Sequence, residues 1–297
     1  MYPLKMAPYV KETIWGGKNI NSKFNKDLNL SKIGESVEVS VHPSGESYVL
    51  NGIYKGKTLR EALSLIDGSC EFDLMFKIID AADDLSIQVH PDDCFARAVE
   101  GHNLGKTEMW YIMDCKPGSK IGYGLNRDVT ESDITEAIEN GSLEKYINYI
   151  EPVPGKIYFI PAGMIHCLGG GVMVAELQQS SDITYRLYDY NRKDKYGNLR
   201  ELHVEKALSV LDKSVVKDEP LDKVECEFFS CVPVVCNESY TDSVSDKYGI
   251  VFIAEGSGRI ISNGTCEEFS AGDTFVLPRN MGEYRIEGDC VFLKCKE

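Results

Sequence analysis

The chain has 297 residues, 43% of them hydrophobic, and carries a formal charge of −15 at pH 7. That length supplies one large or two ordinary domains with real cores. The acidic balance argues against a nucleic-acid partner or an anionic membrane surface, both of which need clustered Lys and Arg. The first residues lack the apolar stretch of a secretory signal and no apolar run approaches bilayer length, so a cytoplasmic protein with no membrane partner is expected.

Short runs rich in β-branched and aromatic residues, bounded by Gly or Pro, predict strands over 37–42, 47–50, 74–79, 85–90, 109–114, 157–160, 172–177 and 184–188. Helical signals are fewer. Thr58 and Glu61 form a capping box that opens a short helix. The stretches 92–100 and 132–150 have helical apolar spacing, the second interrupted at Asn140 and Gly141, and 203–211 predicts another short helix. The charged stretch 212–225, with Pro220, reads as a connector. Ten cysteines are present without a Cys-x-x-Cys pair. Cys226, Cys231 and Cys236 are spaced so that successive ones point to opposite faces of a strand. Cys115, Cys167, Cys231, Cys290 and Cys295 lie in apolar stretches, where a reduced thiol acts as a small hydrophobe.

The chain then repeats itself. The segment from Gly155 to Pro161 matches that from Gly272 to Pro278 in length, apolar pattern and terminal proline, and 248–259 reads as strands around a Gly256-x-Gly258 turn. The expected fold class is mainly β: two jelly-roll or β-sandwich units, the first over 1–212 with short helical insertions, the second over 213–297. The second copy has Glu283 at the position of His166, and no histidine follows His203, so it is expected to hold no metal and to pack, cover or dimerise.

Three segments carry chemistry: 86–92, 106–110 and 161–166. Together they offer Gln88, His90, Glu108 and His166, two imidazoles and one or two oxygen donors, a set that suits a borderline dication such as zinc. Gln88 and His90 stand two apart in an alternating run and so share a face. Gly155, Pro161 and Gly163 lead to His166 through a strand and a tight corner that turns the imidazole inward. Taken singly, each histidine is more often structural than a ligand; jointly they point to a metal. Gln88, a neutral amide, is either a ligand or a hydrogen-bonding neighbour of one. Glu108 sits among apolar residues, where an unpaired carboxylate is costly, so a metal or a cation must compensate it. His42 before Pro43 reads as a corner residue, and His102 and His203 as non-ligands. Arg192, Lys193 and Lys195 form a polar loop, solvated or in contact with a phosphate.

At these residues the chain resembles the type I phosphomannose isomerases, zinc-dependent cupin enzymes that interconvert mannose 6-phosphate and fructose 6-phosphate. The likeness runs through Trp15-Gly16-Gly17, Gly34-Glu35-Ser36, 85–91, Lys106-Thr107-Glu108, 155–166 and Ser181-Asp182 leading to Arg186. It covers most of the chain, whose length resembles the shorter bacterial members. The resemblance implies two cupin-type units, one zinc ion per chain on Gln88, His90, Glu108 and His166, and a catalytic Arg186. It implies further that Trp15, Ser86, Lys106 and Arg186 bind a small sugar phosphate, in a monomer or homodimer. Proton transfer stays open among Lys106, Glu176 (ten residues past His166 on the next predicted strand) and a water on the metal. Arg186 has a structural alternative, an ion pair with Asp182 or Asp189. Two departures, Val37 and Leu168 where many or longer members carry an aromatic, bear on the shape of the sugar pocket.

Two other functions compete. A dioxygenase-type cupin commonly clusters His-x-His with a glutamate a few residues on, whereas here Gln88 stands first and Glu108 is far downstream. A non-catalytic sugar-phosphate sensor would keep the fold, but Lys106 and Arg186 beside intact ligands argue for chemistry.

Overall fold

A computed structural model describes residues 1–297 apart from 25, 27, 28, 31, 70, 103, 194, 195 and 217–219. Cys70, Lys195 and part of the 212–225 connector therefore lie outside the described residues. No described helix is long and apolar enough to cross a membrane.

Antiparallel sheets carry the fold. One sheet has the order Ile157–Ile160, Glu108–Cys115, Val172–Gln179, Leu74–Asp80, Glu35–Val39, Tyr9–Lys11. A second has the order Tyr185–Tyr188, Ile87–Val89, His166–Leu168, Ile121–Leu125, Ile147–Ile150. The third is built on three long strands, Ser230–Val244, Gly249–Ser262 and Gly282–Lys296, extended by Thr274–Leu277 and then by two strands from the start of the chain, Leu4–Ala7 and Tyr48–Val49.

The first sheet lies between the other two, and strand parity decides what each residue meets. Phe76, Ile78, Met109, Tyr111, Ala175 and Leu177 join a core with Phe252, Val276 and Leu293 of the third sheet. Their neighbours Ile79, Trp110, Ile112 and Val174 turn the other way, against Ile121, Tyr123 and Leu168 of the second sheet. A strand covered on both faces needs no polar alternation. Leu74–Asp80 and Val172–Gln179 are accordingly buried at every position. Polar residues inside such strands, Lys77, Glu176 and Gln178, are therefore the ones that need an explanation.

Most expected elements form. The capping box closes at both ends, with Glu61 N–H donating to Thr58 Oγ1 at 3.2 Å and Thr58 N–H to Glu61 Oε2 at 2.9 Å, and the helix runs Leu59–Asp67. The stretch 92–100 is a helical turn capped by Asp92 that loosens into a π-helical turn before Gly101. Both copies of the repeat are a positive-φ glycine, Gly155 or Gly272, followed by a strand. Every described cysteine is a free thiol, and Cys231 stands 3.5 Å from Cys295 across a strand pair.

Two expectations are corrected. The stretch 132–150 is not helical throughout: the helix is Glu131–Glu139, Gly141 turns at φ 70°, Leu143–Tyr146 is a 3₁₀ turn, and Ile147–Ile150 pairs with Ile121–Leu125. Nor do Gly256 and Gly258 make a turn. One strand runs straight through them, with a register shift between Ile253 and Glu255. A Cβ on Gly256, at φ 82°, would meet the Asp289 carbonyl oxygen at 2.0 Å, and one on Gly258 would meet that of Glu287 at 2.1 Å. The glycines let two long strands lie close at a bulge. Gly256→Ala should therefore destabilise the protein by about 2 kcal/mol or more, read as a drop in urea midpoint at unchanged m-value. An unchanged midpoint would mean that the strand relaxes freely there.

Candidate active site

The facing surfaces of the first two sheets bring the site together, and register sets its rows. In the second sheet Gln88 pairs with His166 on one side and Arg186 on the other, and His166 pairs in turn with Tyr123. Directly opposed residues of antiparallel strands share a face, so Arg186, Gln88 and His166 form one row. In the first sheet Trp110, Glu176 and Lys77 are successive cross-strand partners and form a second row. Glu108, two residues before Trp110, projects to the same side.

The two rows meet at a buried cluster of His90, Glu108 and His166 whose potential ligand atoms lie within 4.8 Å of one another. His166 Nε2 is 3.4 Å from Glu108 Oε1, and His90 Nε2 is 3.6 Å from Glu108 Oε2. Ligand atoms about 2.1 Å from a tetrahedral metal are about 3.4 Å apart, so these spacings fit a zinc-sized shell. The outer partners fit too. His90 Nδ1–H donates to the Ile183 carbonyl and His166 Nδ1–H to that of Met164, each at 2.9 Å. That leaves both Nε2 lone pairs aimed inward, the usual arrangement of a metal-ligating histidine. Glu108 Oε1, wholly buried, accepts no hydrogen bond among the described residues, an orphan that a cation would satisfy.

Gln88 stands at the edge of this set. Its amide nitrogen is 3.3 Å from His166 Nε2, and its oxygen accepts from Ser86 Oγ at 3.2 Å. A half-turn of the amide would exchange the two atoms and present the oxygen to the cluster.

Electrostatics sort the groups. Burial drives both imidazoles neutral, His166 down to about 4 and His90 well below its ordinary value. Burial and the nearby Glu176 push Glu108 up to about 7, against the pull of Lys106. Lys106 Nζ lies 2.8 Å from Glu108 Oε2 and 3.2 Å from His90 Nε2. Burial disfavours its charge, but Glu108 and Glu176 outweigh burial and hold it charged. Burial likewise opposes the ionised form of Glu176, yet Lys106, Lys77 and a hydrogen bond from Trp110 keep its carboxyl below the ordinary value.

A cavity of about 240 Å³ opens beside the cluster, and Trp15, Ser86, Gln88, Lys106, Glu176 and Arg186 all line it. Every site residue expected from the sequence thus borders the cavity or belongs to the His90–Glu108–His166 cluster. Arg186 pairs with neither Asp182 nor Asp189. Asp189 is engaged by Arg192 and Arg200, and Arg186 Nε, buried, donates to nothing among the described residues. Arg192 is correspondingly tied down rather than solvated, bonding Asp189 and the Asp84 carbonyl. Both departures sit close by: Leu168 lines the cavity, and Val37 lies opposite Lys77 in register. His42 and His102 lie beside each other, 5.9 Å between ring centroids, apart from the metal cluster. Sequence reading missed Lys11, Lys77 and Arg200, further cations on the cavity wall. The signal for Lys77 was present: a lone lysine inside Leu74-Met-Phe-Lys-Ile-Ile, a run otherwise fit only for a core.

Known proteins share this architecture. Residues 3–104 match the family model for the catalytic domain of type I phosphomannose isomerase, and residues 221–295 match the model for the cupin domain of mannose-6-phosphate isomerase. The chain is 36% identical to the mannose-6-phosphate isomerase ManA of Bacillus subtilis over 97% of this chain and 98% of that protein. It is 37% identical to the probable mannose-6-phosphate isomerase GmuF of the same organism, over 98% of each. The crystal structure of the mannose 6-phosphate isomerase from Bacillus subtilis superposes with a TM-score of 0.91 at 35% identity, covering 99% of both chains.

Proposed function

The chain belongs to the type I phosphomannose isomerase family, and from that membership we propose that it interconverts mannose 6-phosphate and fructose 6-phosphate on one zinc ion held by His90, Glu108 and His166. The observation that carries the metal is Glu108 Oε1, buried without a hydrogen bond among the described residues and 3.4 Å from an inward-facing His166 Nε2. Gln88 completes the shell or orients His166. A bound zinc would supply Lewis-acid stabilisation of the negative charge that develops on the sugar oxygens during isomerisation.

The remaining work falls to the side chains. Proton movement between C1 and C2 needs a base within reach of the cavity. Glu176 suits it, ionised and lining the cavity, with one oxygen that accepts no hydrogen bond among the described residues. Lys106 holds its proton on the cavity wall and can stabilise or protonate a sugar oxygen there. Arg186, unpaired on the far side of Gln88, can hold an anionic oxygen bidentately. Trp15 and Ser86 complete the substrate wall. A coupled assay of the zinc-loaded protein on mannose 6-phosphate tests the reading, and no turnover would overturn it.

Zinc uptake has a proton signature. At about pH 6 the two histidines of the apo site are already neutral while Glu108, titrating near 7, is mostly protonated. Binding must expel that proton. Calorimetry in buffers of different ionisation enthalpy should therefore find the Glu108 proton released on zinc binding at pH 6, and Glu108→Gln should lack that release. Release of two or more at pH 6 would mean that the imidazoles, not Glu108, hold protons in the apo site.

A further inference from the structure

Trp110 touches both halves of the site. It is buried on the Glu108–Cys115 strand, directly opposite Glu176. Its indole N–H donates to Glu176 Oε2 at 2.9 Å, and its ring meets that of His166 edge-on, 5.5 Å between centroids at 77°. The two oxygens of Glu176 are thereby made unequal. Oε2 is occupied by the indole; Oε1 accepts no hydrogen bond among the described residues and faces Lys77 Nζ at 3.4 Å.

We propose that Trp110 is a positioning residue for the isomerisation: by capturing Oε2 it fixes the orientation of the Glu176 carboxylate and leaves Oε1 as the oxygen that takes the proton, in constant register with His166. The proposal rests on the reading of Glu176 as the base. A carboxylate held at one oxygen by a rigid, buried donor keeps its second oxygen in one orientation. A base needs this preorganisation, whereas ground-state binding of the sugar phosphate does not. The indole is suited to the task because it donates one hydrogen bond and accepts none, so it cannot compete for the proton that Glu176 takes.

The loss should therefore fall on kcat. Trp110→Phe keeps an aromatic edge against His166 and removes only the donor. It should lower kcat about tenfold to a hundredfold, with KM within about threefold of wild type and full zinc content. Introduced into Glu176→Gln, the same change should cost little more, because residues acting through one another are not additive. If Glu176→Gln is impaired but Trp110→Phe multiplies the loss, or leaves kcat normal while lowering only the melting temperature, Trp110 does not act through Glu176. If Glu176→Gln itself turns over normally, the base assignment fails, and the role of Trp110 with it. A measurement on the unaltered fold covers the case in which Trp110→Phe does not fold. The chain has two tryptophans, so ¹⁵N-labelled protein shows two indole N–H signals, assigned with Trp15→Phe. The Trp110 signal should exchange slowly with solvent and shift in Glu176→Gln as its acceptor loses charge. An indole signal indifferent to that substitution overturns the proposal.

Discussion

Turnover of mannose 6-phosphate should fall by at least about a thousandfold in His166→Ala, together with loss of the bound metal. A Lewis acid on the developing alkoxide contributes several kcal/mol, and about 4 kcal/mol corresponds to a thousandfold in rate. The substitution removes one of three donors that converge within 4.8 Å. It also leaves Glu108, wholly buried, with a neighbour too few. Chelation of the wild-type protein should reproduce the loss, and added zinc should reverse it. In His166→Ala added zinc should restore neither metal content nor rate. Elemental analysis is the deciding measurement: His166→Ala with full metal content would remove His166 from the ligand set, whatever the activity.

Arg186→Ala should lower turnover by about two orders of magnitude or more while zinc stays bound. A preorganised cation aimed at developing charge in a water-poor site contributes about 3 kcal/mol. Arg186 has the marks of one held for substrate. It is half-buried, its Nε donates to nothing among the described residues, and Asp189, the carboxylate that most favours its charge, is already engaged by Arg192 and Arg200. Burial and the neighbouring Arg200 both disfavour its charged form, a cost that an anionic substrate would offset. The same absence of partners says that the fold should not miss it, so the melting temperature should hold or rise. Near-normal turnover with full zinc and a lowered melting temperature would mean that the arginine is structural, and Lys106 would then be the cation to test.

How much of this was legible in the chain follows from the range of each interaction. Gln88 and His90 could be paired on one face because strand alternation acts over two residues. The Thr58–Glu61 cap and the Gly155 and Gly272 corners are equally local, and all of them formed. Failures have the same origin. Ile147–Ile150 has helical apolar spacing, and only an available edge beside Ile121–Leu125 makes it a strand. Gly256 and Gly258 look like a turn until the backbone of 287–289 is seen pressed against them.

By itself the sequence determined the donor types, the local face of each and, through the resemblance, the reaction, because residue identity and short-range periodicity carry that information. Tertiary structure alone decided the rows. Nothing in the chain order says that Arg186 lies opposite Gln88, or that Trp110, Glu176 and Lys77 line up across three strands drawn from 74 to 179. Register between distant strands is chosen by burial of both faces at once. A slip of one residue would turn Lys77 and Glu176 into the apolar core behind the sheet and bring Phe76 and Ala175 into the cavity. The cost of placing those charges in an apolar core without the partners they have here is what holds the two rows in place.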